Sequence, residues 1–412
     1  MENNTETELI LIRITGVDRP GLTASVTEIL AKHHVNVLDI GQSDIHNTLC
    51  LGILFKADSL RAGIIMKELL FKASELGVSI SFSPITIDEY EKWVSMQGRN
   101  RYILTLLSRK ITAKQIAAFT SIISDQHLNI DAIKRLTGRI PLNESKSNIR
   151  SCIEFSLRGT PQDREEMNTK FMQLSRELGV DFSLQIDNMY RRMRRLICFD
   201  MDSTLIETEV IDELAKRAGV GDKVMEITER AMRGEIDFIE SFKERVALLK
   251  GLDVSVMQEI AESLPITEGV DRLMYVLKKY GYKIAILSGG FTYFGHYLQE
   301  KYGIDYVYAN ELEIIDGKLT GRYLGDVVDG KRKAELLRLI AQVEKVDIAQ
   351  TIAVGDGAND LPMLGIAGLG IAYHAKPKVV ANARQSINTI GLDGVLYFLG
   401  FKDSYLEEKG RL

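Results

Sequence analysis

Apolar and polar positions along this chain fall into two alternating periods, and one order of elements occurs twice. Leu9-Ile10-Leu11-Ile12 opens a strand that runs to Gly16. Asp18-Arg19-Pro20-Gly21 then turns the chain into a helix marked by Leu22, Val26, Ile29 and Leu30 at helical spacing. Strands over 36–40 and 48–55, a helix over 60–76 and a strand over 78–82 complete a βαββαβ order, that of a ferredoxin-like module. From Arg101 the order begins again. A strand over 101–107 precedes a helix carrying Ile116, Phe119, Ile122 and Ile123; strands over 129–133 and 151–157, a helix, and a strand over 180–186 follow. This is an internal repeat found by element order and not by motif.

Beyond residue 195 the pattern changes to short, wholly apolar strands separated by helices. Leu196-Ile197-Cys198-Phe199 reads as a parallel strand buried on both faces, and it ends in Asp200-Met201-Asp202-Ser203-Thr204. Ligands of open α/β sheets sit just beyond the carboxyl ends of strands, so chemistry is expected there. Two carboxylates one residue apart offer oxygen ligands to a hard cation such as Mg²⁺, or a nucleophile beside a proton-shuttling carboxyl. The same residues also suit an Asx turn. The mostly helical stretch from Asp212 to Ser263 is predicted to be a cap inserted over the strand tips; it carries Met232, Phe238, Phe242 and Arg245. A second strand, 282–287, ends in Ser288-Gly289-Gly290-Phe291, small residues whose N–H groups can bind phosphate oxygens. Residues 310–324 read as a hairpin turning at Asp316-Gly317. Lys331-Arg332-Lys333 opens a helix. A third strand, 351–354, ends in Gly355-Asp356-Gly357-Ala358-Asn359-Asp360, a second acidic tip.

A chain of 412 residues predicts two or three domains. The expected divisions are 1–95, 96–190 and 191–412, with the cap at about 212–265. A net charge of −5 gives no pull toward nucleic acid or an anionic membrane surface. Arg191-Arg192-Met193-Arg194-Arg195 could mark nucleic-acid binding, but the acidic remainder favours a solvated linker. The polar, acidic opening is unlike a signal peptide, and no apolar run approaches membrane-spanning length. Three scattered cysteines, Cys50, Cys152 and Cys198, fit reduced thiols in a cytoplasmic protein.

The first βαββαβ unit, with its Asp18-Arg19-Pro20-Gly21-Leu22 turn, resembles the ACT domain. That resemblance implies a free amino acid such as serine as effector, held by Asp18, Pro20 and Gly21 at the helix start, and a homodimer. The second copy has Ser108-Arg109-Lys110-Ile111-Thr112 at the corresponding turn, without the Arg-Pro-Gly element, and is expected to be scaffold. From 196 to 395 the series Asp-x-Asp-Ser-Thr, helical cap, Ser-Gly-Gly, lysine and Gly-Asp-Gly-x-Asn-Asp resembles the haloacid dehalogenase-like phosphatases. Glu209, Phe238 and Arg245 match the branch that hydrolyses O-phosphoserine in the last step of serine biosynthesis.

The implied fold class is α/β: a Rossmann-like parallel sheet with a helical cap, preceded by two ACT-like modules. The resemblance further implies Asp200 as nucleophile, forming an aspartyl-phosphate, and Asp202 as general acid and then base. Mg²⁺ would be held by Asp200, the Asp202 backbone carbonyl and Asp356, with Asp360 supporting those ligands. Ser288, Gly289 and Lys333 would hold phosphate oxygens, and Asn359 would touch the substrate near the phosphate. Arg245 would pair with the substrate carboxylate and Glu209 with its ammonium, with Phe238, Met232 and Gly290 in support. Two alternatives remain: a related enzyme for another small phosphomonoester, and an amino acid sensor whose phosphatase half is inactive.

Overall fold

The computed structural model describes residues 7–96, 98, 100–139 and 149–406. It divides into two compact units, Met1–Arg99 and Asn100–Leu412. In the first unit, β1 (Thr7–Val17), α1 (Leu22–Lys32), β2 (Asn36–Ile45), β3 (Thr48–Asp58), α2 (Ser59–Leu76) and β4 (Ser79–Ile85) form an antiparallel sheet of order β2-β3-β1-β4. Alternation in β1 and β3 sends Ile10, Ile12, Ile14, Leu51, Ile53 and Phe55 to one face. There they pack on Val26 and Leu30 of α1 and Ile65 and Leu69 of α2. Each such side chain contributes roughly 1.5–3 kcal/mol on burial. A further helix, α3 (Ile87–Ser95), follows β4. Its capping box, Thr86 with Glu89, is the local signal that apolar periodicity overlooks.

The second unit begins with β5 (Arg101–Ser108), α4 (Ala113–Asp125), β6 (Asn129–Arg135), β7 (Ser151–Arg158), α5 (Arg164–Leu178) and β8 (Asp181–Ile186). Their order β8-β5-β7-β6 repeats that of the first module. This copy does not keep a sheet of its own. β8 pairs with a two-residue strand of the catalytic region through Phe182 and Ser386, giving one sheet of eleven strands.

That junction corrects the expectation of a solvated arginine linker. Arg191 in α6 (Met189–Arg192) and Arg194 just after it are buried, Arg191 against Glu154 at 2.8 Å and Arg194 against Gln185 at 2.7 Å. Because the sheet is continuous, these two arginines lie inside the seam, while Arg192, Met193 and Arg195 stay exposed.

The catalytic sheet is built on β9 (Leu196–Phe199), flanked in parallel by the strands Lys283–Phe291 and Thr351–Gly355. Leu196 and Cys198 face one apolar layer and Ile197 and Phe199 the other, so the strand is buried on both sides. Four cap helices follow: α7 (Val210–Arg217), α8 (Gly221–Met232), α9 (Phe238–Ala247) and α10 (Ser255–Glu262). An Ile206–Ile266 bridge closes the cap's base, where Glu207 N–H donates to Pro265 O and Thr267 N–H to Leu205 O.

Then come α11 (Val270–Lys279), β10 (Lys283–Phe291), α12 (Thr292–Tyr302), β11 (Tyr306–Ile315), β12 (Lys318–Leu324), α13 (Gly330–Val343), β13 (Thr351–Gly355), α14 (Leu361–Ile366) and β14 (Leu369–Tyr373). β11 and β12 form the predicted hairpin, with Asp316 and Gly317 at φ 49° and 75°, as a two-residue type I′ turn requires. β10 extends further than its apolar run: Ser288-Gly289-Gly290 lie within the strand, at a register irregularity between Leu287 and Phe291. Among the described residues no helix is long and apolar enough to cross a membrane.

Candidate active site

Register brings the acidic tips together. Phe199 pairs with Ile286 on one side and Val354 on the other. The next residues along each strand are therefore Asp200, Leu287-Ser288 and Gly355-Asp356. Asp200 Oδ1 accepts from Met201 N–H at 2.8 Å and from Lys333 Nζ at 2.9 Å. Lys333 also donates to Asp360 Oδ1 at 2.7 Å, and Asp360 Oδ2 accepts from Gly357 N–H at 2.9 Å. Lys333, Asp360 and Ser288 are fully buried, so this ammonium is held by two carboxylates away from water. Asp329 caps α13 by accepting from Arg332 N–H, and the helix's first turn aims Lys333 inward. Gly330 allows that approach: a Cβ there would lie 2.5 Å from Asn359 O.

Asp202 points toward the cap, where its Oδ1 accepts from Val210 N–H at 3.2 Å. Gly290 leaves it room, since a Cβ at that position would lie 2.4 Å from Asp202 Oδ2. Glu209, at the mouth, accepts from Ser203 Oγ at 2.9 Å. A cleft of about 70 Å³ is lined by Asp200, Asp202, Glu209, Phe238, Arg245, Ser288, Gly289, Gly290 and Asn359, joined by Ile211, Phe242 and Phe291. One strand tip and one cap helix thus face each other across carboxylates, small residues and a guanidinium.

Electrostatics set the protonation states. Burial, then Glu209 and Asp200, push the Asp202 carboxyl well above the ordinary range. Desolvation followed by Asp200 raises Glu209 and Asp360. Asp356 is pushed up to about 8 by burial, then by Asp200 and Asp360. Oxygens of Asp200, Asp356 and Asp360 lie within 4.8 Å of one another against a single lysine. So many oxygen donors with so little positive charge suit a hard divalent cation.

In metal-free protein the raised Asp356 makes stability depend on pH. Asp356 ionises near 3.8 when unfolded and near 8 when folded, so between these values the fold binds the extra proton and stability falls as pH rises. In EDTA the melting temperature should therefore drop between pH 5 and pH 8, and a divalent cation should reduce that drop. A melting temperature rising over this interval in EDTA would contradict the assigned environment.

Most of the expected site residues meet in or directly beneath this cleft. Met232 does not: it ends α8 two-thirds exposed, its Sδ 3.8 Å from Lys376 Nζ. Asp18, Pro20 and Gly21 belong to the first unit, where they are exposed at the start of α1, with Gly21 at φ 88° as its N-cap. Three supporting residues escaped the sequence reading. Ser203 holds Glu209, and Thr204 Oγ1 reaches Asp356 at 3.5 Å. Buried Asn310 donates to Gly289 O and accepts from Val328 N–H, both at 2.8 Å, tying the β10 tip to the loop before α13. The hydroxyl pair after Asp-x-Asp was the available signal for the first two; a lone Asn in a strand gave none for the third.

Residues 8–83 match the ACT domain and residues 194–368 match the haloacid dehalogenase-like hydrolases. Fold and site therefore define a hydrolase of the haloacid dehalogenase-like class with an N-terminal ACT domain. The phosphoserine phosphatase of Streptomyces coelicolor is 38% identical over 97% of this chain and 93% of its own length. That of Mycobacterium tuberculosis is 36% identical over 97% and 94%. The crystal structure of a probable phosphoserine phosphatase from Vibrio cholerae, unliganded, superposes with a TM-score of 0.57 at 36% identity, covering 74% of this chain and 87% of that one. The chain belongs to the phosphoserine phosphatases.

Proposed function

We propose that this enzyme hydrolyses O-phospho-L-serine to L-serine and phosphate in two steps, through an aspartyl-phosphate on Asp200. The observation that supports this most is Lys333, buried between Asp200 and Asp360 beneath a cleft that also holds Asp202. With Oδ1 engaged by Met201 N–H and Lys333, the Asp200 carboxylate is fixed in orientation, and its Oδ2 is the oxygen that attacks phosphorus. The ester P–O bond breaks as the new P–O bond to Asp200 forms. Asp202, whose burial beside Glu209 and Asp200 favours the protonated form, gives its proton to the departing serine oxygen. The resulting carboxylate then takes a proton from water as that water attacks phosphorus, which frees phosphate and restores Asp200. Asp200, the Asp202 backbone carbonyl and Asp356 would hold Mg²⁺, with Asp360 supporting them. Bound there, the ion supplies neutralisation of phosphate charge. Ser288, Gly289 and Lys333 hold the phosphate oxygens, and Asn359 touches the substrate beside them.

Selectivity comes from the cap. Arg245 and Glu209 offer opposite charges to the carboxylate and ammonium of one zwitterion, with Phe238 closing the apolar side. Burial lowers the Arg245 pKa while Glu209, Asp212 and Asp202 pull it back up, so it remains a cation. Arg245→Ala should raise KM for phosphoserine by about 30-fold or more, the loss of one partner in a desolvated charge pair. For a phosphomonoester lacking a carboxylate the change should be small. Steady-state phosphate release on both esters, with Mg²⁺ and with EDTA, tests this; equal KM changes on the two would remove the cap assignment.

The ACT match supports a regulatory amino acid, and we place L-serine at Asp18, Pro20 and Gly21, where the exposed start of α1 can take a carboxylate. The heat of L-serine binding to the full chain should then fall in Asp18→Ala, and an unchanged heat would count against this placement. We also propose a homodimer joined through the ACT module, whose edge strand β2 exposes Val37, Ile40 and Ile45.

A further inference from the structure

The arginine run at 191–195 is not used by the phosphatase reaction, yet two of its members line a second cleft. A cavity of about 150 Å³ lies in the seam between the second βαββαβ module and the catalytic sheet. That is roughly ten times what one water molecule needs on the same measure. Its polar lining includes Arg164, Gln185, Arg191, Arg194, Arg384 and Gln385. It lies at the amino ends of the parallel strands, just before β9, β13 and β14, whereas the catalytic cleft lies at their carboxyl ends.

Arg194 is the unusual member. It is 96% buried, and among the described residues no carboxylate pairs with it. Nη1 donates to Gln185 Oε1 at 2.7 Å, Nη2 reaches Gly368 O only at 3.5 Å, and Nε has no partner. A buried charge without a counter-ion is costly, and burial followed by the like charge of Arg191 lowers its pKa only to about 10, leaving it charged at neutral pH. Arg191 is partly compensated: its Nη2 donates to Glu154 at 2.8 Å while its Nε is also unpartnered. Gln385 is buried with Oε1 unsatisfied, and its amide can turn to donate instead. Arg164 and Arg384 stand exposed at the rim. Four guanidinium groups thus line one cleft, and among the described residues the carboxylate ion-paired to any of them is Glu154.

We propose that this cavity binds a small oxyanion, phosphate or carboxylate, between the fork of Arg194 and the donors of Arg191, Gln385 and Arg384. A guanidinium matches either anion with two parallel N–H donors. Both products of phosphoserine hydrolysis carry such a group, so the site is suited to sense the reaction's own output at the far end of the strand that bears Asp200.

The test uses the full chain in EDTA, titrated calorimetrically with inorganic phosphate and, separately and in an Asp18→Ala background that removes the site proposed at α1, with L-serine. Wild type is compared with Arg194→Gln, with Arg384→Ala, and with Asp200→Asn as a control for the catalytic cleft. At least one anion should bind with an affinity that falls tenfold or more in Arg194→Gln, falls severalfold in Arg384→Ala, and is retained in Asp200→Asn. Phosphate responding alone identifies a phosphate site, and serine alone a carboxylate site. Arg384 is exposed, so its variant keeps the test decisive should Arg194→Gln fail to fold. No binding by either anion, or affinities unchanged in both arginine variants, would overturn the proposal.

Discussion

Asp200→Asn is expected to lower kcat for O-phosphoserine by about four orders of magnitude or more, the scale on which a lost nucleophile acts. The substitution is nearly isosteric. The amide oxygen can still accept from Met201 N–H, so the β9 tip keeps its shape. What disappears is a carboxylate able to form an acyl phosphate, together with one negative charge on Lys333. The fold should be unharmed, because the change also relieves repulsion that raises Asp202, Asp356 and Asp360. Activity within a hundredfold of wild type, in a variant with an unchanged circular dichroism spectrum, would mean that another group attacks phosphorus.

Lys333→Met should damage both stability and turnover. In wild type this fully buried ammonium sits 2.9 Å from Asp200 and 2.7 Å from Asp360, both buried. Removing it strands two carboxylates without their counter-ion, for which the cost is about 3–5 kcal/mol. The sign of its pH dependence is fixed. Burial and Asp200 already raise the Asp360 pKa, and without Lys333 it rises further, so acid conditions neutralise the stranded group. The loss of melting temperature should therefore be larger at pH 8 than at pH 5. A Lys333→Met protein as stable as wild type at pH 8 would show that the ion pair contributes nothing to the fold.

The candidate site was legible in the sequence because its residues are local. Asp200 and Asp202 are one residue apart, and Asp356, Asn359 and Asp360 fall within five. Each cluster follows a run of apolar residues that can only be a buried strand, and a parallel sheet brings such tips together. The ferredoxin-like order was legible for a similar reason, since the periods of its strands and helices are uninterrupted in both copies. Features that depend on distant partners were not. Asn310 matters through Gly289 and Val328, and nothing beside it in the chain marks that role. Arg191 and Arg194 look like solvent-facing charge until Glu154 of β7 and Gln185 of β8 meet them. The continuity of that sheet rests on Ser386-Ile387, two residues too short to show any period. Met232 has the spacing of a cap residue over the cleft, but its place at the end of α8 turns it toward Lys376. α3 was hidden because it buries none of its residues, and only its capping box announced it.

The architecture also gives the two modules different tasks. The first carries the exposed Pro-Gly turn in its own four-stranded sheet. The second has no such turn and continues the catalytic sheet. Further ties include Asp181, which accepts from the backbone of Asn388 and Thr389, and Arg109, which meets Glu268 at 2.6 Å beside the cap's base. Scaffold is the role these contacts support.

The central claim is that phosphorus passes through Asp200, and chemical trapping tests it most directly. Wild type and Asp202→Asn would be mixed with phosphoserine and Mg²⁺, quenched in acid within the first turnover, digested, and analysed by mass spectrometry. One phosphoryl group is expected on the peptide containing Asp200, accumulating to a higher level when Asp202 can no longer activate water. A phosphoryl group on any other residue, or none on enzyme that is turning over, would contradict it.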